Sequence, residues 1–332
     1  MAKNNLHASI IVTYRCNAKC NMCDVYNYPT RSDVEIKAKD LESLPQLHFA
    51  NITGGEPFIR EDLGEIIEVV RRKADRIVIS SNGFFTDRTV ELFKKYPDLG
   101  IRISIEGLPQ ANDAIRGIKD GFDRGLRTLM KLREMGIKDI GFGMTVQDMN
   151  AKDLIFLYDL SDALGYEFAT ATLHNSHYFH KRDNKVNDVT MVQVEFEKLI
   201  KKLLRSKSPK KWLRAYFNHG LINFLHGGKR FLRCEMGSDD FGFFIDPTGE
   251  VLPCNGMDEP MSMGNIKEHP LLDILRSDRA VKVRDCVANC DKRCWMIGSV
   301  APAMKKNLLK PVMWVIKNKV FGYKGFCNGK KT

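Results

Sequence analysis

The sequence predicts an α/β fold with parallel strands, because strand-like and helix-like patterns alternate over the first 175 residues. Six short apolar runs carry the strand pattern: ASIIVTY, HFANIT, RIVISS, GIRISI, GFGMTV and FATATL. Longer stretches with helical periodicity separate them, such as EDLGEIIEVVRRKA and DRGLRTLMKLREMG. Such units either close partly into a barrel or form an open doubly wound sheet, and both bind ligands at the carboxyl ends of the strands.

Polar and glycine-rich segments follow the predicted strands. A cysteine-rich loop follows the first run, GGEP follows the second, SSNG ends the third and EG ends the fourth. The carboxyl ends of parallel strands meet at one edge of a sheet. The sequence therefore predicts a site at this edge.

The second half of the chain differs in composition. Residues 190–232 have the pattern of two basic amphipathic helices joined around Ser208 and Pro209. From Cys234 onward cysteines and turn residues dominate, and FGFFIDPTGEVLPC predicts a hairpin. We predict a barrel core over 1–185, a basic helical connector over 186–233 and a cysteine-rich domain over 234–332.

Composition and charge narrow the class of protein. The 332 residues are 43% hydrophobic and 28% charged, which is typical of a folded globular chain. The N-terminal region has no cleavage signal and no apolar run is long enough to cross a membrane, so we expect a cytoplasmic protein. The net charge of +11 favours an anionic partner: nucleic acid, a phosphorylated small molecule or an anionic membrane.

Nine cysteines in a reducing compartment favour metal binding or catalysis over disulfides. Cys16, Cys20 and Cys23 form C-x3-C-x2-C directly after the first strand. A structural zinc ion has four protein ligands and no open coordination position. An iron–sulfur cube also takes four thiolates, one for each iron, so three thiolates leave one iron open. Zinc completed by a distant ligand stays the alternative.

This arrangement resembles the radical S-adenosylmethionine (SAM) enzymes, whose mark is C-x3-C-x2-C on the loop after the first strand. The resemblance implies a partial (β/α)6 TIM-like barrel. It implies a [4Fe-4S] cluster on Cys16, Cys20 and Cys23, with SAM chelating the open iron. One electron, from a donor such as flavodoxin or ferredoxin, would cleave SAM to a 5′-deoxyadenosyl radical that abstracts hydrogen from a substrate.

Further motifs resemble the SAM-binding segments of that family in the same order: TGGEP, SSNG, ISIEG and NDAIRGIKDGFDRGL. By this resemblance Glu56 would accept a hydrogen bond from the SAM ammonium, Ser104 would face the ribose or carboxylate, and Arg116 would pair with the carboxylate. The residues expected to bind SAM are Gly54, Gly55, Glu56, Asn82, Ser104 and Arg116.

The remaining cysteines are Cys234, Cys254, Cys286, Cys290, Cys294 and Cys327. Their spacing resembles the SPASM/twitch domain, which holds auxiliary iron–sulfur clusters in many radical SAM enzymes. Two cubes ligated only by cysteine need eight thiolates, and six are available. One four-thiolate cluster with two spare cysteines and two incompletely ligated clusters both stay open, and a zinc ribbon is the alternative.

A polar segment after the sixth run supplies candidate catalytic groups. The candidates are His174, His177 and Tyr178, together with Asp258 near the second cysteine group. The alternative for each histidine is an exposed loop position. In sulfatase-maturating relatives an Asp follows the hairpin cysteine, whereas this chain has Asn255.

For the substrate we predict a small anionic, carbohydrate-like or phosphate-bearing molecule that is oxidised or epimerised. The first strand begins near residue 8, so we expect no leader-binding domain before the barrel. The enzyme alternative is crosslinking or epimerisation of a ribosomal peptide. The alternative of another class is a basic zinc-binding nucleic-acid module, but the sequence has no appended RNA-binding motif, so we expect no nucleic-acid partner.

The C-terminal segment 303–321 mixes lysines with apolar residues and Trp314. A basic amphipathic helix with a tryptophan is typical of a peripheral contact with an anionic membrane. The alternative is a helix packed on the barrel with its lysines in water. Both interpretations stay open at this point.

Overall fold

Nine strands form one sheet in the computed structural model, which describes residues 6–238 and 241–326. The strands are β1 (His7–Ile11), β2 (Phe49–Thr53), β3 (Ile77–Ser81), β4 (Gly100–Ser104), β5 (Ile140–Val146), β6 (Glu167–Thr172), β7 (Gly242–Ile245), β8 (Glu250–Leu252) and β9 (Gly264–Asn265). Their order across the sheet is β6-β5-β4-β3-β2-β1-β7-β8-β9.

The first six strands are parallel and lie in sequence order, as the alternating pattern predicts. Ile10 lies opposite Ile52, and Ile52 lies opposite Ile79; all three are fully buried. Apolar β-branched residues suit strands covered on both faces. Because β6 ends the order and pairs only with β5, the six strands do not close, and the predicted partial barrel is confirmed.

Five helices connect or follow these strands: α1 (Leu63–Arg71), α2 (Thr86–Lys95), α3 (Pro109–Arg116), α4 (Gly121–Glu134) and α5 (Leu154–Ala163). Short 3-10 helices lie at Val25–Asn27, Ala38–Leu41, Pro57–Ile59, Ala151–Asp153 and His177–Phe179. In α1 the spacing of Ile66, Ile67 and Val70 places these fully buried side chains on one face, toward the sheet. The helices thus cover the sheet, and the polar loops lie at the carboxyl ends of the strands.

The predicted basic helices are α6 (Val189–Arg205) and α7 (Pro209–Leu225). Asp188 caps α6 by accepting a hydrogen bond from the Met191 amide at 2.9 Å. Pro209 occupies the first turn of α7, where its missing N–H costs nothing. A Cβ at Gly220 would lie 2.0 Å from the Trp295 ring, so the absent side chain lets the cysteine-rich segment pack directly on α7.

The predicted hairpin is confirmed as β7 and β8, but it continues the barrel sheet. β7 runs parallel to β1, with Ala8 opposite Phe243, and β8 and β9 extend the sheet antiparallel. The domain boundaries at 185 and 233 stay predictions. Strands from before and after residue 233 belong to one continuous sheet.

The remaining helices are α8 (Leu271–Arg276), α9 (Asp278–Ala288), α10 (Ile297–Lys306) and α11 (Leu309–Val320). Among the described residues, no helix combines the length and hydropathy needed to span a bilayer.

Candidate active site

The loop after β1 carries Cys16, Cys20 and Cys23, and the GGEP segment after β2 packs on it. The Gly55 amide donates to the Thr13 carbonyl at 2.7 Å, and the Glu56 amide donates to the Arg15 carbonyl at 2.9 Å. A Cβ at Gly55 would lie 2.3 Å from that Arg15 oxygen. Glycine is therefore required here for the contact between two loops, in addition to the ligand contact that the sequence suggested.

The end of α3 closes the other side of the cysteine loop. The Lys19 amide donates to the Arg116 carbonyl at 3.0 Å, and the Asn21 amide donates to the Ile115 carbonyl at 2.8 Å. Gly117 ends α3 with φ of 58°, and a Cβ there would meet the Lys19 carbonyl at 2.4 Å. These contacts place the Arg116 side chain beside the cysteines.

A cavity of about 220 Å³ opens at the carboxyl edge of the strands. It brings together segments that are far apart in sequence. The wall contains all three cysteines and five of the six residues expected to bind SAM: Gly54, Gly55, Asn82, Ser104 and Arg116. A cavity therefore lies at the edge where the sequence predicts a site.

Among the described residues, Arg116 is the one Arg or Lys in the cavity wall, and it is largely buried. One terminal nitrogen contacts Oε1 of Glu106 at 3.3 Å, and the Thr145 amide donates to Oε2 of Glu106 at 2.6 Å. Burial raises the pKa of Glu106 to about 7 against the opposing charge of Arg116. The Nε of Arg116 is buried and, within the described part of the chain, has no hydrogen-bond partner. Such a donor fits the carboxylate of a bound ligand.

The three thiols lie in an environment that disfavours a free thiolate. Burial raises the pKa of Cys16 to about 11 and that of Cys23 to about 12, and it also raises the pKa of Cys20. Within residues 6–238 and 241–326, no three Cys, His, Asp or Glu side chains are close enough to share a single metal ion. The thiolates of a cube bind different iron atoms, so this wider spacing is compatible with a cluster.

Glu56 lies close to Cys16 and Arg116, but its carboxylate is engaged by neighbouring donors. Its side chain is fully buried and is not part of the cavity wall. The carboxylate accepts from the Phe58 amide at 3.1 Å, the Ser81 hydroxyl at 2.9 Å and the Asn82 amide at 2.7 Å. Burial raises its pKa, and these donors oppose that shift. Glu56 therefore joins the ends of β2 and β3 beneath the cavity.

Two of the four predicted catalytic residues line the cavity. His174 Nδ1 lies 2.9 Å from the Thr172 carbonyl, so the Nδ1–H tautomer leaves Nε2 as an acceptor. Burial lowers the pKa of His174, so its ring is neutral at pH 7. The Tyr178 hydroxyl donates to the Gly54 carbonyl and lies 3.2 Å from the Thr53 hydroxyl, and burial raises its pKa.

The other two lie elsewhere. His177 is not part of the cavity wall; its ring is 5.7 Å from that of His180. Asp258 is exposed and forms an ion pair with Lys292 at 2.5 Å. The structure thus brings His174 and Tyr178 to the predicted site and leaves His177 and Asp258 outside it.

A buried network beneath the cysteine loop was missed by the sequence reasoning. The Glu35 carboxylate is fully buried and accepts from Arg15 NH2 at 2.7 Å and from the hydroxyls of Thr13 and Thr30, with Arg60 NH1 3.6 Å away. Burial would raise the pKa of Glu35, but the hydrogen bonds from Arg15, Thr13 and Thr30 together lower it. No local motif marks Glu35, since its four partner residues come from three separate segments.

A second group of cysteines forms between the hairpin and the segment after α9. The thiols of Cys234, Cys254, Cys290 and Cys294 interact electrostatically with one another. A Cβ on Gly256 would lie 3.6 Å from the Cys254 sulfur and 3.7 Å from the Cys294 sulfur.

The two remaining C-terminal cysteines differ in position. Cys286 lies on α9 and is exposed. Cys327 lies outside the described residues.

Backbone amides and two cations surround this second group. The Gly256 amide donates to the Cys254 sulfur at 3.2 Å, and the Lys292 amide donates to the Cys290 sulfur at 3.4 Å. The Lys292 ammonium donates to the Gly256 carbonyl at 2.9 Å and so ties the two cysteine loops together. Burial raises the pKa of Cys294, while the charges of Lys292 and Arg230 oppose the shift.

Comparison with family models gives two matches. Residues 10–160 match the radical SAM superfamily, and residues 234–295 match the iron–sulfur cluster-binding domain called SPASM. The first range includes the cysteine loop and most of the cavity wall, and the second includes the four grouped cysteines.

Curated relatives match the chain over different lengths. Fe-coproporphyrin III synthase of Methanosarcina barkeri is 36% identical over 165 residues, which is 45% of this chain and 39% of that protein. The sporulation killing factor maturation protein SkfB of Bacillus subtilis is 25% identical over 301 residues, which is 89% of this chain and 70% of that protein. The matches therefore span between about two fifths and seven tenths of these relatives.

Among solved structures, SuiB of Streptococcus suis bound to S-adenosylmethionine has the same fold. The TM-score is 0.65 at 18% identity, over 86% of this chain and 68% of SuiB.

Proposed function

We propose that this chain, which belongs to the radical SAM superfamily and carries a SPASM domain, modifies a peptide by crosslinking or epimerisation. Both families bind iron–sulfur clusters, the radical SAM domain together with SAM. The observation that carries the SAM chemistry is the cavity in which three partly buried thiols meet an arginine whose Nε has no hydrogen-bond partner among the described residues.

Cys16, Cys20 and Cys23, which are partly buried and line the cavity, would hold the SAM-binding [4Fe-4S] cluster. When bound, the cluster and SAM supply reductive cleavage of SAM and hence abstraction of a hydrogen atom from the substrate. The electron would come from a donor such as flavodoxin or ferredoxin.

Arg116 would bind the SAM carboxylate through its free Nε, while Glu106 keeps the guanidinium in place. Asn82 and Ser104, in the same wall, would contact the remaining polar groups of SAM. Gly54 and Gly55 let the segment after β2 lie close to the cysteine loop.

Cys234, Cys254, Cys290 and Cys294 would hold one auxiliary cluster with four thiolates. Their grouping and the two N–H···S hydrogen bonds support this ligand set over two incompletely ligated clusters. The exposed position of Cys286 gives it no role in the set.

For the substrate, the comparisons favour the peptide alternative over the carbohydrate-like molecule. SkfB, whose match covers 89% of this chain, is named a maturation protein of the sporulation killing factor. SuiB has also been solved bound to the precursor peptide SuiA, with a TM-score of 0.63 over 86% of this chain.

His174 is the group that we propose to exchange a proton with the substrate. It lines the cavity, and its hydrogen bond to Thr172 leaves Nε2 as an acceptor. The variant His174→Gln should keep cleavage of SAM and lose modification of the substrate. Equal loss of both would contradict this role.

The test is anaerobic reconstitution with iron, sulfide, SAM and dithionite. We expect 5′-deoxyadenosine, and we expect Arg116→Lys to weaken SAM binding about tenfold or more, because lysine does not reproduce a guanidinium contact. A synthetic peptide, taken from a short open reading frame found next to the gene, is then added in D2O. Crosslinking should lower the mass of the peptide by two hydrogens. Epimerisation should replace one hydrogen of the peptide with deuterium from the solvent and leave it otherwise unchanged.

A second candidate substrate is an anionic tetrapyrrole, favoured by the 36% identity to Fe-coproporphyrin III synthase over 45% of this chain. Coproporphyrin III with iron, assayed beside the peptide, separates the two. Turnover of the porphyrin alone would replace the peptide proposal, and 5′-deoxyadenosine formation without turnover of either would leave only the superfamily chemistry.

A further inference from the structure

The outer face of α11 exposes a continuous row of apolar side chains. Leu309, Met313, Ile316 and Val320 are 77%, 61%, 56% and 68% exposed. Their spacing of four, three and four residues puts them on one side of the helix. Phe321 follows directly and is 72% exposed.

The inner face of the same helix is already packed. Pro311 and Val315 are buried. The Trp314 ring lies 5.0 Å from that of His219 and 5.6 Å from that of Tyr216 on α7. Trp314 therefore anchors α11 to the protein, contrary to the expectation of an interfacial tryptophan. The outer row is a second apolar face that the core does not need.

Lysines flank this row on both sides. Lys310 and Lys317 each follow a residue of the row, and Lys319 precedes Val320. Between residues 297 and 326 the sequence has six lysines and no Asp or Glu, and all six are exposed. Lys319 also donates to the Leu204 carbonyl at 2.8 Å, which brings the exposed cations at the end of α6 alongside.

We propose that the outer face of α11 binds in the plane of an anionic lipid bilayer. A row of apolar side chains bordered by lysines matches acyl chains bordered by anionic headgroups. The helix has 12 residues and so is about 18 Å long, which suits a position parallel to the surface. This inference is independent of the proposed substrate.

Other occupants match the surface less well. A second copy joined face to face would oppose the lysines of the two helices to each other, because residues 297–326 contain no Asp or Glu. A nucleic acid would pair with the lysines but would leave the apolar row in water. The bilayer satisfies both features at once.

The experiment is flotation of the full chain, purified without oxygen and loaded with iron and sulfide, on two kinds of vesicle. One kind is phosphatidylcholine alone, and the other is equal parts phosphatidylcholine and phosphatidylglycerol. We expect binding to the anionic vesicles, little binding to the neutral ones, and weaker binding as salt is raised.

Two variants test the two features separately. Leu309→Ser with Met313→Ser and Ile316→Ser should weaken partitioning by about tenfold or more, because three apolar side chains leave the acyl region. Lys310→Glu with Lys317→Glu should weaken it by a similar factor, about tenfold.

Matched controls lie on α2, α4 and the turn after α4. Met130→Ser removes an exposed apolar residue of α4, and Lys94→Glu with Lys138→Glu makes the same change in net charge. Both controls should bind like the wild type, and unchanged iron content and thermal midpoint should show that every variant is folded.

Equal binding to both vesicles, absence of binding at low salt, or wild-type binding by both α11 variants would overturn the proposal. So would self-association in light scattering that the apolar variant abolishes, or retention of an RNA oligonucleotide at physiological salt that the vesicles do not displace.

Discussion

The two cysteine groups use the same ligand atom in different surroundings. Cys16, Cys20 and Cys23 line an open cavity at the carboxyl edge of parallel strands, next to a guanidinium with a free Nε. The four cysteines of the second group lie in loops around Gly256, with two amides donating to sulfur. The first arrangement leaves room for a ligand beside the thiols, and the second supplies a fourth thiol instead.

The cations beside the two cysteine groups also differ, in whether they keep a free hydrogen-bond donor. Arg116 faces the first group and keeps a donor available. Lys292 is engaged with the Gly256 carbonyl and with Asp258. A proposed catalytic cluster needs an exchangeable partner, whereas a proposed auxiliary cluster needs saturated iron and a fixed potential. The predictions below probe this difference, beginning with the largest effect.

Removing one thiol of the first group should abolish cleavage of SAM. Cys20→Ala should lower the iron content from about eight to about four atoms per chain, because a cube with two thiolates is lost. Iron analysis and a 5′-deoxyadenosine assay measure both effects. Cys286→Ala is the control and should change neither; loss of iron in the control would mean that the exposed cysteine is a ligand after all.

Removing one thiol of the second group should separate the two functions. Cys290→Ala should also lower iron to about four atoms per chain. It should keep formation of 5′-deoxyadenosine without substrate and lose the modified product. Disappearance of both activities would show that the two groups do not act independently.

The buried network around Glu35, which lies beneath the first cysteine group, should lose stability at low pH. Glu35→Gln should lower the free energy of unfolding by about 3 kcal/mol, because Arg15 and Arg60 would lose a buried carboxylate. Folding lowers the pKa of Glu35. The stabilisation is therefore complete above the ordinary glutamate pKa and is lost as pH falls through the lowered value.

Thermal unfolding of the anaerobic protein at several pH values should show this loss in the wild type and less of it in the variant. Asp258→Asn, which breaks the exposed pair at the second group, is the control and should leave the thermal midpoint unchanged. An equal fall of the thermal midpoint in both variants would contradict the difference proposed between the buried Glu35 network and the exposed Asp258 pair.

Two glycines should respond differently to alanine. At Gly55 the new Cβ would meet the Arg15 carbonyl at 2.3 Å, so Gly55→Ala should cost about 1–3 kcal/mol and lower iron in the first group. At Gly256 the new Cβ would make ordinary contacts with two sulfurs, so Gly256→Ala should be near neutral. Thermal midpoints of the two variants decide this, and the reverse order would contradict it.

The smallest effect should be on a reduction potential. Lys292→Gln removes a cation near the second group, so its cluster should become harder to reduce by tens of millivolts, on the order expected for one charge. A redox titration followed by electron paramagnetic resonance should show the change in one cluster only. A shift in both would place the two groups in closer electrostatic contact than their surroundings imply.

Local patterns in the sequence were sufficient for the first six strands, the helices up to α7, the hairpin and the first cysteine group, but not for β9 or for α8 to α10. The alternating pattern and the motifs after β1 to β4 predicted five of the residues that line the cavity beside the cysteines. The strands and the cysteine loop depend on neighbouring residues along the chain, so spacing carries them. The five cavity residues were expected from the resemblance to the radical SAM enzymes.

Partners from distant segments could not be predicted in this way. The sequence could not show that Glu56 turns beneath the cavity, that Asp258 pairs with Lys292 or that β7 joins β1. Six C-terminal cysteines allowed several ligand sets, and only packing separated exposed Cys286 from the group of four.

The same division holds for α11. The sequence determined that this helix is basic and apolar, because those properties belong to the residues themselves. Only the tertiary structure decided that Trp314 faces the protein while Leu309, Met313 and Ile316 face water. The physical reason is that burial depends on which surfaces meet, and that is set by contacts between residues remote in sequence.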